Sequence, residues 1–171
     1  GIESIVNEVV SINKENKFAV LENGEQIGYE KLVIATGSTP VKPKWLKGAD
    51  LENVFVIPKD KCYLDEMNAK LEKIKNIIVI GAGFIGVEFS DELKKRGHEV
   101  ALVEKLPNIL SLAFDEELST RIAGIISDRG VKIITNNGVN EIVGNGKVSR
   151  VRLENGEEIP ADAVILSMGY K

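Results

Sequence analysis

Apolar and polar positions alternate in two different regimes along the chain. Over residues 1–37 the apolar residues form short runs, at 4–12, 18–21 and 31–35. Polar turn chemistry separates these runs, Asn13-Lys14-Glu15-Asn16-Lys17 and then Glu22-Asn23-Gly24-Glu25. This pattern predicts strands joined by hairpin turns, with 31–35 a compact buried strand. From 40 to 48 the segment PVKPKWLKG reads as a linker, because its two prolines resist regular structure. Trp45 within it reads as a packing anchor.

After residue 59 the period lengthens. A helix is predicted over 59–75, with Asp60 as N-cap and Leu64, Met67 and Leu71 on one face. Asn76-Ile77-Ile78-Val79-Ile80 is a β-branched run of the kind that fills a buried parallel strand. Residues 84–96 read as a second helix, with Ile85, Phe89 and Leu93 at four-residue spacing. Lys94-Lys95-Arg96 complement its C-terminal dipole and Gly97 supplies the left-handed stop. A strand at 100–103 follows, then a helix over 116–129 capped by Asp115, with Leu118, Ile122, Ile125 and Ile126 directed inward. Gly130 ends it before a strand at 131–134. Residues 139–159 read as a small antiparallel meander with turns at Gly144-Asn145-Gly146 and Glu154-Asn155-Gly156, and 163–166 as a last buried strand.

Strands and helices in this order predict an α/β fold, a Rossmann-like doubly wound parallel sheet with a β-meander excursion. A β-rich N-terminal stump of a second dinucleotide-binding domain precedes it. The expected division is residues 1–40 as the stump, 41–57 as linker and 58–171 as the nucleotide-binding domain.

Two stretches repeat each other. Leu21-Glu22-Asn23-Gly24-Glu25-Gln26-Ile27 matches Leu153-Glu154-Asn155-Gly156-Glu157-Glu158-Ile159, and Gly37 matches Gly169, all at an offset of 132 positions. Val6-Asn7-Glu8-Val9-Val10 matches Val139-Asn140-Glu141-Ile142-Val143 at an offset of 133. Common hairpin chemistry explains one such match. Two in register, each leading to an apolar run and a glycine, point to duplication. The second copy follows a glycine-rich loop beginning at Gly81, and the first copy has no such loop before it. The chain is therefore expected to be a piece of a longer protein, and its start at Gly1 rather than methionine fits that expectation.

Composition narrows the chemistry. The 171 residues are 43% hydrophobic and 28% charged, with a net charge of −4. A folded core is expected, and a pI near 5.2 disfavours a nucleic-acid partner. The sequence offers no stretch suited to a membrane and no signal-peptide pattern. One cysteine, Cys62, excludes an internal disulfide and fits a cytoplasmic protein; it reads as a small half-buried residue. One histidine, His98, leaves little room for a His-based metal site or triad, and it reads as structural. What remains is chemistry carried by a bound cofactor.

Gly81-Ala82-Gly83-Phe84-Ile85-Gly86 is a G-x-G-x-x-G run between a predicted strand and a predicted helix. Glu104 ends the next strand 23 positions after Gly81. That context makes the run a dinucleotide fingerprint. Gly81 permits the tight turn, Gly83 lets a pyrophosphate approach the backbone, and Gly86 lets helix and strand pack closely. Glu104 is placed to accept hydrogen bonds from an adenosine ribose and to repel a 2′-phosphate, favouring NAD(H) over NADP(H). Lys105 beside it acts the other way, since an ammonium can accept a 2′-phosphate. Glu88 admits two readings, an acid suited to the helix dipole or a polar contact near the nicotinamide.

At Gly81–Glu88, GAGFIGVE, the sequence resembles the pyridine nucleotide-disulphide oxidoreductases, flavoproteins with two dinucleotide domains. Tyr29-Glu30-Lys31-Leu32-Val33-Ile34-Ala35-Thr36-Gly37-Ser38 is similar to the segment that closes the FAD domain of that family. Phe114-Asp115 and Ile165-Leu166-Ser167-Met168-Gly169-Tyr170 also fit, so the resemblance covers essentially the whole chain. It is nearest the NADH oxidase, coenzyme A-disulphide reductase and NADH peroxidase branch, with nitrite-reductase-like and rubredoxin- or ferredoxin-reductase relatives as the next alternative. The resemblance implies that Phe84 shields the flavin, that Ile85 and Glu88 line the nicotinamide side, and that Gly169 meets the nicotinamide half. It assigns Ala35, Thr36 and Gly37 to FAD. It also implies NADH as partner, FAD in the longer protein, a C-terminal dimerisation domain and a homodimer. The family's first glycine-rich loop and redox cysteine have no counterpart among these residues, and Cys62 lies on the wrong side of the ATGS segment to take that cysteine's role. The expected activity is passage of hydride from NADH to FAD and on to a thiol, disulphide, oxygen species or electron carrier, with this piece alone inactive. A regulatory NAD-binding module and an unrelated Rossmann dehydrogenase are the alternatives. The duplicated half-domain disfavours the first, and the want of a catalytic His or Lys disfavours the second.

Overall fold

The computed structural model describes all 171 residues as two compact units, Gly1–Thr36 and Gly37–Lys171. Unit 1 is a three-stranded antiparallel meander of β1 (Val9–Asn13), β2 (Phe18–Leu21) and β3 (Gln26–Gly28), in that order. Ala19 and Leu21 are its buried apolar residues, while Val9, Val10 and Ile12 of β1 face solvent. Residues 31–35, expected as a buried strand, form no strand, and Leu32, Val33 and Ile34 are exposed. An apolar run becomes a strand only when a neighbour accepts its backbone hydrogen bonds, and none of the three strands of unit 1 pairs with this one.

In unit 2, β4 (Val54–Val56) precedes helix α1 (Lys61–Leu71). Then β5 (Asn76–Ile80), α2 (Phe84–Lys95), β6 (Glu99–Val103), α3 (Glu116–Asp128) and β7 (Lys132–Ile134) alternate. A meander of β8 (Val139–Asn145), β9 (Lys147–Leu153) and β10 (Glu158–Pro160) returns the chain to β11 (Ala163–Leu166). The main sheet is parallel in the order β4-β11-β5-β6-β7, the Rossmann-like arrangement expected. The chain runs outward from β5 on one side and re-enters through β11 on the other. The strand order therefore reverses between β5 and β11, and ligands favour the carboxyl ends of strands at such a point.

Strand alternation sorts the core into two layers. Ile77, Val79, Val100, Leu102 and Ile165 pack with Met67, Leu71, Leu93 and Ile126 of the helices. Ile78, Ile80, Val103, Val164 and Leu166 point the other way, onto Ile142, Val151 and Leu153 of the meander. Helices thus cover one face and the meander covers the other. This double burial is why the strands read as unbroken β-branched runs.

Unit 2 departs from expectation at four places. Residues 41–57 are built into unit 2 rather than linking two domains. Leu46, Ala49, Phe55 and Ile57 are buried, Ile142 N–H donates to Lys47 O at 2.9 Å, and β4 pairs with β11. Prolines at 40 and 43 exclude helix but leave the chain free to lie along the meander. In α3, Ile126 is buried and Ile122 half-buried, whereas Leu118 and Ile125 are exposed. Ser119 occupies the inward position instead, fully buried, so the buried face is turned by one residue from the apolar pattern. Trp45 is 67% exposed and Cys62 is exposed, so neither packs as expected. His98 is structural as read: it is buried, with Nδ1 2.9 Å from Ile74 O.

The repeat is reproduced bond for bond. Leu21 N–H donates to Glu25 O and Leu153 N–H to Glu157 O, both at 2.8 Å. Asn23 and Asn155 each accept from the backbone two residues on, at 3.0 and 2.9 Å. Gly24 and Gly156 take φ of 85° and 88°.

Two measurements test this fold. Leu46→Ala is expected to lower the unfolding free energy of unit 2 by about 2–5 kcal/mol in urea, as in a packed core; a loss below about 0.5 kcal/mol would restore the linker reading. Asp91 is held below the usual carboxylate range by hydrogen bonds from Lys95 at 2.8 Å and then Arg129 at 2.7 Å. Its contribution is therefore complete above its unfolded value near 3.8 and is lost as pH falls through the lower folded value. The stability gap between wild type and Asp91→Asn should be about 1 kcal/mol at neutral pH and shrink below about pH 4. A gap independent of pH would count against this account.

Candidate dinucleotide site

The carboxyl ends of β5, β6 and β11 converge on the glycine-rich turn. Pairing of Leu166 with Ile80 sets Ser167 opposite Gly81. Gly81 has φ of 98°, and a Cβ there would lie 2.6 Å from Ser167 O. Gly86, in the first turn of α2, is tighter still: a Cβ would meet Gly81 O at 1.9 Å and Ser167 Oγ at 2.7 Å. The Ser167 hydroxyl lies 2.9 Å from Ile80 O and 2.7 Å from Gly81 O, so its single proton secures the turn from the neighbouring strand. Sequence reasoning missed Ser167, because its role depends on a strand register that only the fold provides. Gly83 differs from both. A Cβ there would meet nothing within 4 Å, so no packing of the chain requires this glycine.

Helix α2 begins at this turn without a cap. Asp60 accepts from Tyr63 N–H to cap α1, and Asp115 accepts from Leu118 N–H to cap α3, but Gly83 offers α2 no side chain. The first turn of α2 holds no acid, whereas that of α3 holds Glu116 and Glu117. The free N–H groups and positive dipole end at Gly83–Gly86 therefore suit an anion that the chain itself does not supply.

Glu104, just beyond β6, is fixed from both sides. Its Oε2 accepts from Ala82 N–H at 2.7 Å and its Oε1 from Leu106 N–H at 2.9 Å. Each oxygen keeps lone-pair capacity, so the carboxylate is oriented yet able to accept from two further hydroxyls. Glu104 stands on a ridge between two cavities. The first, of about 190 Å³, is bounded by Gly83, Phe84 and the loop Leu110–Ala113. That loop is tied down by Leu110 N–H donating to Ala82 O at 2.8 Å. The second, of about 140 Å³, lies among Trp45, Gly81, Lys105, Gly138, Glu154 and Met168.

The remaining residues singled out from the sequence fall in several places. Phe84 is 61% exposed and meets Phe114 edge to face, with centroids 5.6 Å apart. Ile85 is half-buried against the helix-side core. Glu88, one turn further along α2, is exposed and faces a separate groove of about 300 Å³ with Leu64, Met67 and Arg96. Lys105 donates to Glu154 Oε1 at 2.8 Å. Gly169 has φ of 95° and its carbonyl accepts from Val41 N–H at 2.9 Å. Ala35, Thr36 and Gly37 are exposed.

Comparison with known proteins identifies the family and the fold. A family model described as pyridine nucleotide-disulphide oxidoreductase matches residues 1–171. An NADH oxidase of Streptococcus pyogenes is 34% identical over 158 residues, covering 84% of this chain and 34% of that protein. The large subunit of a nitrite reductase [NAD(P)H] from Klebsiella oxytoca is 31% identical, covering 100% of this chain and 18% of that protein. Among solved structures, a ferredoxin reductase from Rhodopseudomonas palustris superposes with a TM-score of 0.87 at 30% identity, over 99% of this chain and 42% of the other. A water-forming NADH oxidase from Lactobacillus brevis, bound to NADH, gives 0.77 at 26%, over 96% and 37%. The chain thus spans less than half the length of these relatives.

Gly83 and Gly86 separate by experiment. Gly83→Ala is expected to leave the melting temperature unchanged while weakening dinucleotide binding at least tenfold, since only a ligand would meet the new methyl. Gly86→Ala is expected to destabilise the fold by about 2 kcal/mol or more, through overpacking. Equal effects of the two substitutions on stability would contradict the assignment.

Proposed function

The chain belongs to the pyridine nucleotide-disulphide oxidoreductase family, and on that premise we propose that it is the NADH-binding module of an FAD-dependent oxidoreductase. The observation that carries the proposal is the pairing of an uncapped helix start at Gly83 with a carboxylate, Glu104, held by Ala82 and Leu106. Backbone N–H groups of the Gly81–Gly86 turn bind the pyrophosphate, and Glu104 accepts from the adenosine ribose hydroxyls. A 2′-phosphate would bring a second negative charge against Glu104, so NAD(H) is preferred over NADP(H). Phe84 and Gly169 line the nicotinamide half of the ligand, and the family resemblance extends that role to Ile85 and Glu88, which lie against the helix-side core and in a separate groove of this unit. Lys105 flanks the ribose.

In the whole protein, hydride passes from NADH to FAD and two electrons go on to a thiol or disulphide, an oxygen species or an electron carrier. Relatives named water-forming NADH oxidase and ferredoxin reductase support the oxygen and electron-carrier parts of that range. Ala35, Thr36 and Gly37 belong to the FAD side. All three are exposed and form no cradle by themselves, so no redox step is assigned to this chain alone. A homodimer formed through a C-terminal dimerisation domain completes the proposal. One exposed cysteine suits the reducing cytoplasm, and no helix is long and apolar enough to cross a membrane.

Titration by NADH fluorescence and by calorimetry tests the reading. NADH is expected to bind about tenfold or more tightly than NADPH, from the like-charge penalty at Glu104. Glu104→Gln should narrow that ratio. Binding of neither dinucleotide would overturn the proposal, and tighter binding of NADPH would overturn the role of Glu104. Stoichiometric yellow flavin in the purified chain would refute the assignment of the redox step to the longer protein.

A further inference from the structure

This inference rests on the reading of Gly81–Gly86 and Glu104 as an NADH site, and it concerns the cation that ought to blur the preference of that site. Lys105 directly follows Glu104, and both line the cavity of about 140 Å³. An ammonium one residue from the ribose-binding carboxylate is the natural acceptor of a 2′-phosphate. Its Nζ instead donates to Oε1 of Glu154, on another wall of the same cavity, at 2.8 Å.

Glu154 is itself anchored. Its N–H donates to Gly138 O at 2.8 Å, and its carboxyl lies so close to Gly138 that a Cβ there would sit 2.7 Å away. The next residue, Asn155, donates its N–H to Asn137 Oδ1 at 3.3 Å, and Asn137 N–H donates to Glu104 O at 3.2 Å. The β9–β10 turn is thereby tied back to the strand end that carries Glu104 and Lys105. Turn chemistry does not account for the ion pair. The same turn closes in unit 1 around Leu21, Asn23 and Gly24, with Glu22 at the matching position and no lysine partner needed.

We propose that Glu154 is a specificity-determining residue, which holds the Lys105 ammonium away from the ribose 2′ position. Discrimination against a 2′-phosphate then comes from two carboxylates, Glu104 directly and Glu154 through Lys105. The Lys105 hydrogen bond keeps the Glu154 carboxyl below its ordinary range, so Glu154 carries its negative charge at neutral pH. Both side chains are well exposed, 71% for Lys105 and 46% for Glu154, so the effect is a few-fold rather than orders of magnitude.

The test is a double-mutant cycle on the full chain, titrated with NADH and with NADPH. Glu154→Gln keeps the side-chain shape and removes the charge. It is expected to raise the ratio of NADPH to NADH affinity about two- to fivefold at low salt, with the gain shrinking at high salt. Adding Lys105→Met to Glu154→Gln should abolish the gain. A ratio unchanged in Glu154→Gln, or a gain that persists in the double variant, would overturn the inference. Wild-type chain that binds neither dinucleotide would overturn the site reading beneath it. Wild-type preference for NADH with an unmoved ratio in the variant sinks the role of Glu154 alone.

Discussion

The structure depends on one close approach, where the start of α2 crosses the end of β5 and both lie against the end of β11. Gly81 must take a positive φ, and Gly86 must carry no side chain, or helix and strand would be forced apart. Ser167 fixes the crossing from the side by bonding to the carbonyls of Ile80 and Gly81. From that geometry the chemistry follows. The helix start is aimed at the mouth of the sheet and left without a cap. The adjacent strand end brings Glu104 within 2.7 Å of Ala82 N–H. Close packing, rather than a dedicated set of reactive side chains, makes the site.

Much of this was legible in the sequence, for physical reasons that differ by region. The fingerprint glycines, Glu104, the caps Asp60 and Asp115 and the buried strands of the parallel sheet all obey local rules, so a linear reading finds them. What escaped it depends on partners distant in sequence. Residues 41–57 lack periodicity, yet Lys47 and Glu52 bond to the meander nearly a hundred residues later, and Phe55 packs beneath β11. Residues 31–35 have the apolar content of a strand and no neighbour to make them one. The apolar pattern of α3 pointed to Leu118 and Ile125, but the sheet meets the face carrying Ser119 and Ile126. Intrinsic pattern names an element; the surface it meets chooses the face.

The duplicated turn shows the same division. Leu21–Glu25 and Leu153–Glu157 share sequence, hydrogen bonds and glycine conformation, so the local code is sufficient to build the turn twice. Nothing local tells Glu154 from Glu22. Only unit 2 places Gly138, Asn137 and Lys105 beside that turn, which changes a structural loop into part of a cavity wall. A repeat identified in sequence therefore establishes common architecture but not common role.

Long-range dependence also constrains how the site comes into being. Ser167 reaches Gly81 across 86 residues and Asp162 reaches Asn76 across a similar span, at 2.9 Å. Strand β11 is the last element in the chain, yet it occupies the place beside the first strand of the nucleotide fold. Until it docks, Ile78, Ile80, Val164 and Leu166 lack their shared layer and Gly81 lacks its buttress. The loop is thus competent only when the whole of unit 2 has closed. Contacts of such sequence separation carry a loop-closure cost before they return any stability, so the unit must fold as a block rather than turn by turn. A ligand bound at the Gly81–Gly86 turn, as proposed above, would stabilise the folded unit as a whole, because β11 buttresses that turn.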